Sequence, residues 1–306
     1  MNSLLMPDLW IIVSVAAAVF QTGRFMLQKH LATATLSAAG ATFSRFLYSA
    51  PFILLLLAAY LGITGRALPA LEPGFWLYGV FGGTAQIMAT VCVVLLFKQR
   101  NFAVGITFKK TEVIQTVLMG WIVLGEGVAP MGFAAIALGV VGLLLLSGGA
   151  EARGFHLRDL NNRAAGLGIA SGFLFAISAV CYRGASLAVV EDDPILRATV
   201  TLAAVVMMQT LIMAVWLRLR EPGQMRAVWS ARRVAVWIGL TSMGGSLCWF
   251  IAFTLQNAAY VKAVGQVELI LSVAATTLFF HEKISRREWA GIAVLAASIL
   301  MLVLVA

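Results

Sequence analysis

The sequence predicts an all-α polytopic membrane protein, with ten transmembrane helices arranged as two inverted five-helix repeats. Three observations carry this prediction: the composition, the length of the apolar runs and an internal duplication. Of 306 residues, 61% are hydrophobic and 11% are charged, and the mean hydropathy is +0.94. A soluble domain carries roughly 25% charged residues, so this chain lacks the polar surface to stand in water. Soluble, secreted and nucleic-acid-binding classes are excluded on the same ground. A membrane helix needs about 20 mainly apolar residues, because a rise of about 1.5 Å per residue must cross about 30 Å of hydrocarbon. Runs of that length are too long and too continuous for barrel strands, which need about 9–11 alternating residues.

In chain order, the first run (9–29) comes after a stretch, residues 1–8, that has no Lys or Arg and so lacks the basic region of a signal peptide. It is expected to be retained as a membrane helix. The second run (40–62) holds Pro51 in its interior, where the ring removes a backbone hydrogen bond and predicts a kink. The third and fourth runs cover 75–97 and 103–124. The fifth (131–148) begins after Pro130, a residue tolerated in a first helical turn. The polar stretch around 149–164 then reads as a linker between halves. The sixth run (165–187) comes next, and the seventh (195–217) starts after Pro194. A second polar connection (218–234) contains Pro222-Gly223, and the eighth, ninth and tenth runs cover 235–256, 258–280 and 288–305. Neither polar connection is long enough for a soluble domain. Cys92, Cys181 and Cys248 lie within apolar runs and are odd in number, which argues against a disulfide framework.

Sliding the chain by 156 residues aligns Gly83 with Gly239, Cys92 with Cys248, Asn101 with Asn257, Glu112 with Glu268 and Glu126 with Glu282. The rare polar coincidences weigh most in so apolar a chain. Each unit holds five spans, an odd number, so the second copy must cross the membrane upside down. The expected organisation is a first repeat over 1–149, a linker over 150–164 and a second repeat over 165–306. Inverted repeats of this kind are the architecture of secondary transporters with a midplane site.

Ionisable groups at membrane depth cost at least about 2.5–3.5 kcal/mol each unless paired or solvated. Seven stand out: Arg24, Arg45, Lys109, Lys110, Glu112, Lys262 and Glu268. Lys109 and Glu112 are three apart and can pair on one helix face. Phe108, Glu112, Gln115 and Met119 make a stripe along the fourth span. Gly265, Glu268 and Ser272 line one seam of the ninth span, and Lys262 with Gln266 lines another. Two readings stand for Glu112 and Glu268: buried ion pairs that hold helices in register, or cavity groups that bind solute or carry protons. The substrate-binding candidates are Lys109, Lys110, Glu112, Gln115, Trp249, Lys262, Gln266 and Glu268. Arg24 and Arg45 are candidate structural partners of the two glutamates. The lysines would suit a carboxylate-bearing solute, and Trp249 would supply an apolar wall.

The duplication, the ten runs and two short motifs resemble the EamA-type, ten-helix members of the drug/metabolite transporter superfamily. The motifs are Leu124-Gly125-Glu126 closing the fourth span and Phe280-His281-Glu282 closing the ninth, each followed by a Gly/Ala-rich helix. Arg45 sits where such proteins often carry an arginine. The resemblance implies a monomer or weak homodimer in the bacterial inner membrane that exports small metabolites, amino acids among them. It also implies a cavity lined by spans one, three, four, six, eight and nine, with spans five and ten peripheral. Glu126 and Glu282 then read as structural or coupling residues, ahead of the fifth and tenth helices, where a carboxylate can meet free N–H groups. The small four-helix exporters of this superfamily use a glutamate in their first span. Here that span has Gln21 and Arg24, so that coupling site does not carry over.

Connections after odd-numbered spans hold 14 Lys/Arg and those after even-numbered spans hold three. The positive-inside rule therefore puts both termini outside, against the family expectation of termini inside. No GxxxxGK[ST] is present, so no nucleotide-driven pump is expected. An intramembrane enzyme or a channel is the alternative class. The chain has no HExxH or GxSxG, and His30, His156 and His281 lack metal-ligand spacing. No metal and no cofactor are expected; the expected partners are a small-molecule substrate and the lipid bilayer, with no nucleic acid.

Overall fold

Helix ends in this chain are written by side chains that satisfy the orphan backbone donors of a first turn. Ser37 accepts from the Gly40 N–H at 3.0 Å, Asp193 from Ile195 at 2.9 Å and Asn257 from Ala259 at 2.8 Å. A computed structural model describes residues 6–34, 36–97, 108–147, 163–271, 273 and 285–305. The helices among the described residues are α1 (Met6–Ala34), α2 (Ala38–Thr64), α3 (Gly74–Phe97), α4 (Glu112–Leu124), α5 (Pro130–Ser147), α6 (Arg163–Leu187), α7 (Pro194–Arg220), α8 (Pro222–Ser230), α9 (Arg232–Leu255), α10 (Ala258–Val264) and α11 (Arg286–Val305). Strands β1 (Ala70–Leu71) and β2 (Val189–Val190) pair antiparallel, Ala70 with Val190 and Leu71 with Val189.

Helices α2, α3, α6, α7, α9 and α11 are long and apolar enough to cross a membrane, and α1, α4 and α5 carry shorter apolar stretches. The outer surface is apolar as well: Leu55 is 67% exposed and Trp121 65%. In water such faces would drive aggregation; against lipid tails they are solvated. The chain is a multi-pass membrane protein.

Packing is set by small residues. Helix α3 lies along α6, α1 along α9 and α5 along α11, while α2 packs between α7 and α9. A Cβ on Gly142 of α5 would stand 2.7 Å from the Leu295 nitrogen of α11, and one on Gly291 would stand 3.0 Å from the Gly142 carbonyl. Only glycine lets these two backbones touch, the usual device for helix association in lipid.

Two features depart from ten continuous spans. The 218–234 connection contains a helix, α8, started by Pro222 in its first turn and anchored by fully buried Val228. The fourth and ninth runs are broken rather than continuous. Positions 150–162 of the linker and the Phe280-His281-Glu282 motif lie outside the described residues.

Candidate functional site

The two breaks share a construction. Before α4, the Thr111 N–H bonds the Phe108 carbonyl at 3.1 Å and the Thr111 hydroxyl bonds it again at 2.7 Å, tightening the chain into a turn. After α10, Gln266 bonds back to Ala263 at 3.1 Å, Glu268 to Gly265 at 3.2 Å and Leu269 to Gln266 at 2.9 Å, and the chain is helical again from Val267. Three-residue steps replace the four-residue ladder that a continuous helix would need. Glu112 and Glu268 each fall in the first turn after a break, at the positive end of the following helix. Helix α6 reaches the first break through Gly172, where a Cβ would stand 2.8 Å from the Lys109 carbonyl.

The acids pair crosswise. Glu112 takes Lys262 at 2.5 Å from the other half of the chain and Lys109 at 3.5 Å from its own turn. Glu268 takes Lys110 at 3.3 Å and the Gln21 amide at 2.8 Å. Lys262 also sits 4.7 Å from the Trp249 ring centroid and 5.7 Å from those of Phe175 and Phe253. Aromatic faces around an ammonium add cation–π attraction where water is scarce.

Beside this junction is a cavity with Gln21 and Arg24 (α1), Arg45 (α2), Gln86 (α3), Tyr182 (α6), Ser246 and Trp249 (α9) and Lys262 (α10) on its wall. Arg45 donates to the hydroxyls of Thr90 and Ser246, each at 3.2 Å. Arg24, from α1, stands on the same wall. Below them Gln209 donates to Gln86 at 2.9 Å, to the Tyr182 oxygen at 3.1 Å and to the Gly83 carbonyl at 3.0 Å, and Tyr182 donates to Gln86 at 2.9 Å. The Trp249 indole N–H reaches Gln21 at 3.3 Å.

The sequence candidates therefore separate into two groups. Trp249 and Lys262 line the cavity, whereas Lys109, Lys110, Glu112 and Glu268 form the junction behind it. Gln115 donates to Thr111 at 3.2 Å and Gln266 to the Lys262 carbonyl at 3.3 Å, so both brace the breaks. Arg45, expected as a glutamate partner, instead meets neutral hydroxyls and lines the cavity with Arg24, because α2 faces α3 and α9 there. The second span thus contributes to the wall, which the resemblance does not imply. Glu126 does not cap α5. Gly125, with φ of 68°, ends α4 and turns the chain toward α6. There Glu126 accepts the Arg183 Nε–H with both oxygens at 2.7 Å. Arg183 also donates to the carbonyls of Phe253 at 2.7 Å and Gln256 at 2.8 Å, and the Tyr260 hydroxyl takes the Ala129 N–H at 3.3 Å ahead of α5. Sequence reasoning misses Gln86, Tyr182 and Gln209; polar side chains amid three apolar runs are the signal that could have found them.

Residues 162–304 match the EamA-like transporter family. A solved crystal structure superposes with a TM-score of 0.71 at 15% identity, covering 97% of this chain and 96% of its own, which shows a shared fold. No curated protein matches. The second half of the chain is thus similar to a transporter family, in keeping with the multi-pass fold.

Proposed function

We propose that the protein is a secondary carrier that exports small organic metabolites, amino acids or related solutes, across the bacterial inner membrane by alternating access. The observation that carries this reading is the pair of broken helices joined crosswise by Lys262–Glu112 and Lys110–Glu268 beside a polar cavity. Discontinuous helices meeting at a repeat interface are how inverted-repeat carriers build a midplane site. The helix pairing supports two repeats, 1–149 and 165–306. A two-fold axis that exchanges the halves would exchange the α3–α6 packing with α1–α9, and would leave α2–α7 and α5–α11 paired with their own counterparts. Ten spans result when the two broken runs are each counted once and α8, which lies in the 218–234 connection, is left out.

Contacts at both ends support a closed state. At one end the Ser37 hydroxyl donates to Glu221 at 2.5 Å; at the other Arg183 joins Glu126 to the end of α9. The cavity between them holds about 30 Å³, room for a water or two, so a solute requires the halves to part. The charge bias of the connections supports 149–164 and 218–234 in the cytoplasm, against the family expectation, and the carrier works as a monomer or weak homodimer. The test is counterflow in proteoliposomes with amino acids, N-acyl amino acids and dicarboxylates. Saturable counterflow of one class is expected; flux that never saturates would mark a channel and end the carrier reading.

A further inference from the structure

Among the described residues, three lysines, Lys109, Lys110 and Lys262, meet two carboxylates, Glu112 and Glu268. Both acids are already committed to lysines at the junction. The cavity wall presents Arg24, Arg45 and Lys262 and, among the described residues, no carboxylate. Arg45 is held by the hydroxyls of Thr90 and Ser246, groups that fix its position without cancelling its charge. Arg24 and Arg45 face the same cavity, where two like charges repel. Charges in a low-dielectric site are weakly screened, and an anion between the guanidinium groups would remove that repulsion. A guanidinium also matches a carboxylate with two parallel N–H···O bonds.

Resting on the carrier reading above, we infer that the cavity selects carboxylates of net negative charge over zwitterionic amino acids. In a zwitterion the ammonium stands next to its own carboxylate. It would be carried onto a wall that presents Arg24 and Arg45 beside the paired Lys262 and, among the described residues, no carboxylate. The rings of Phe175, Trp249 and Phe250 around the same space fit an apolar body on the anion.

The test uses one skeleton in four charge states on the purified full chain: N-acetylphenylalanine (anion), phenylalanine (zwitterion), N-acetylphenylalaninamide (neutral) and phenylalaninamide (cation), with succinate as a second anion. Equilibrium binding and then counterflow in liposomes are measured for each. The expected result is binding of at least one anion tenfold or more tighter than the zwitterion, the neutral compound and the cation. Arg45→Gln and Arg24→Gln should each weaken anion binding tenfold or more, with Arg45→Lys retaining part of it and guarding against simple misfolding. Equal or tighter binding of phenylalanine, no binding of either anion, or unchanged anion binding in folded Arg→Gln variants would overturn the inference. Counterflow of phenylalanine without the anions would keep the carrier and end the anion site. Anion binding without counterflow of any compound would do the reverse.

Discussion

Two groups of buried charge lie side by side in this protein and are satisfied in opposite ways. At the junction of the broken helices both carboxylates meet ammonium groups, and Glu112 alone holds Lys109 and Lys262. On the cavity wall Arg45 bonds the hydroxyls of Thr90 and Ser246, and no carboxylate among the described residues pairs with it. The difference teaches that burial of a charge does not by itself mark a site. What matters is whether the protein has already supplied the opposite charge. The first group ties the halves of the chain together; the second offers a cationic surface to a visitor.

Removing the shared anion of the junction is the largest perturbation available. Glu112→Gln leaves two buried ammonium groups facing a neutral amide, and breaking a buried pair costs about 3–5 kcal/mol. Thermal and denaturant unfolding in detergent should show a loss of that size, and adding Lys262→Met should recover much of it. If Glu112→Gln is as stable as the parent, the pairing does not hold the helices together.

The Arg183 latch comes next. Arg183→Met gives up the Nε–H shared by both Glu126 oxygens and two carbonyl bonds. The pair is partly exposed, at 14% and 23% for the two side chains, so screening reduces the cost to about 1.5–3 kcal/mol, the range of charge-assisted bonds. Unfolding measurements check it. Faster proteolysis at the end of α9 would sharpen the view that this latch closes one face.

The smallest effect is expected at the ribbon loops, where Arg66 meets Glu191 at 3.0 Å and Asp193 at 3.4 Å with 45% of its side chain exposed. Exposed pairs contribute about 0–1 kcal/mol, so Arg66→Ala should change the melting point little. The three Arg of the even-side connections, Arg66, Arg183 and Arg197, all make internal contacts. The same side is thus poorer in free positive charge than the count of three against 14 suggests. An impermeant thiol reagent applied to intact cells carrying cysteines in 149–164 should label nothing. Ready labelling would reverse the orientation.

Much of the architecture is legible in the sequence because lipid imposes long apolar runs, and those runs can be read without any knowledge of packing. Pro194 marks the start of α7, and the Lys109–Glu112 spacing points to a pair that the structure contains. The breaks are not legible. Thr111 and Gln266 are tolerated in helices, and only the tertiary demand to face Glu112 and Glu268 toward cations of the other half makes the shorter turns worth forming. The division between junction and wall is hidden for a related reason. Sequence spacing shows which residues share a helix face, but not which helix lies opposite, so Arg45 reads as the partner of an acid it does not meet. Glu126 similarly reads as a cap, since the Arg183 that captures it lies 57 residues away.

The central claim is that the junction charges serve the fold and the cavity arginines serve the solute. It is tested most directly by measuring, side by side, unfolding and N-acetylphenylalanine binding per folded molecule for Glu112→Gln and Arg45→Gln. The account predicts that Glu112→Gln loses about 3–5 kcal/mol of stability while its folded fraction still binds. It predicts that Arg45→Gln loses about 1–2 kcal/mol or less, the scale of neutral hydrogen bonds, while binding weakens tenfold or more. The opposite pattern, with Arg45→Gln unfolding the protein and Glu112→Gln abolishing binding in a stable one, would contradict it.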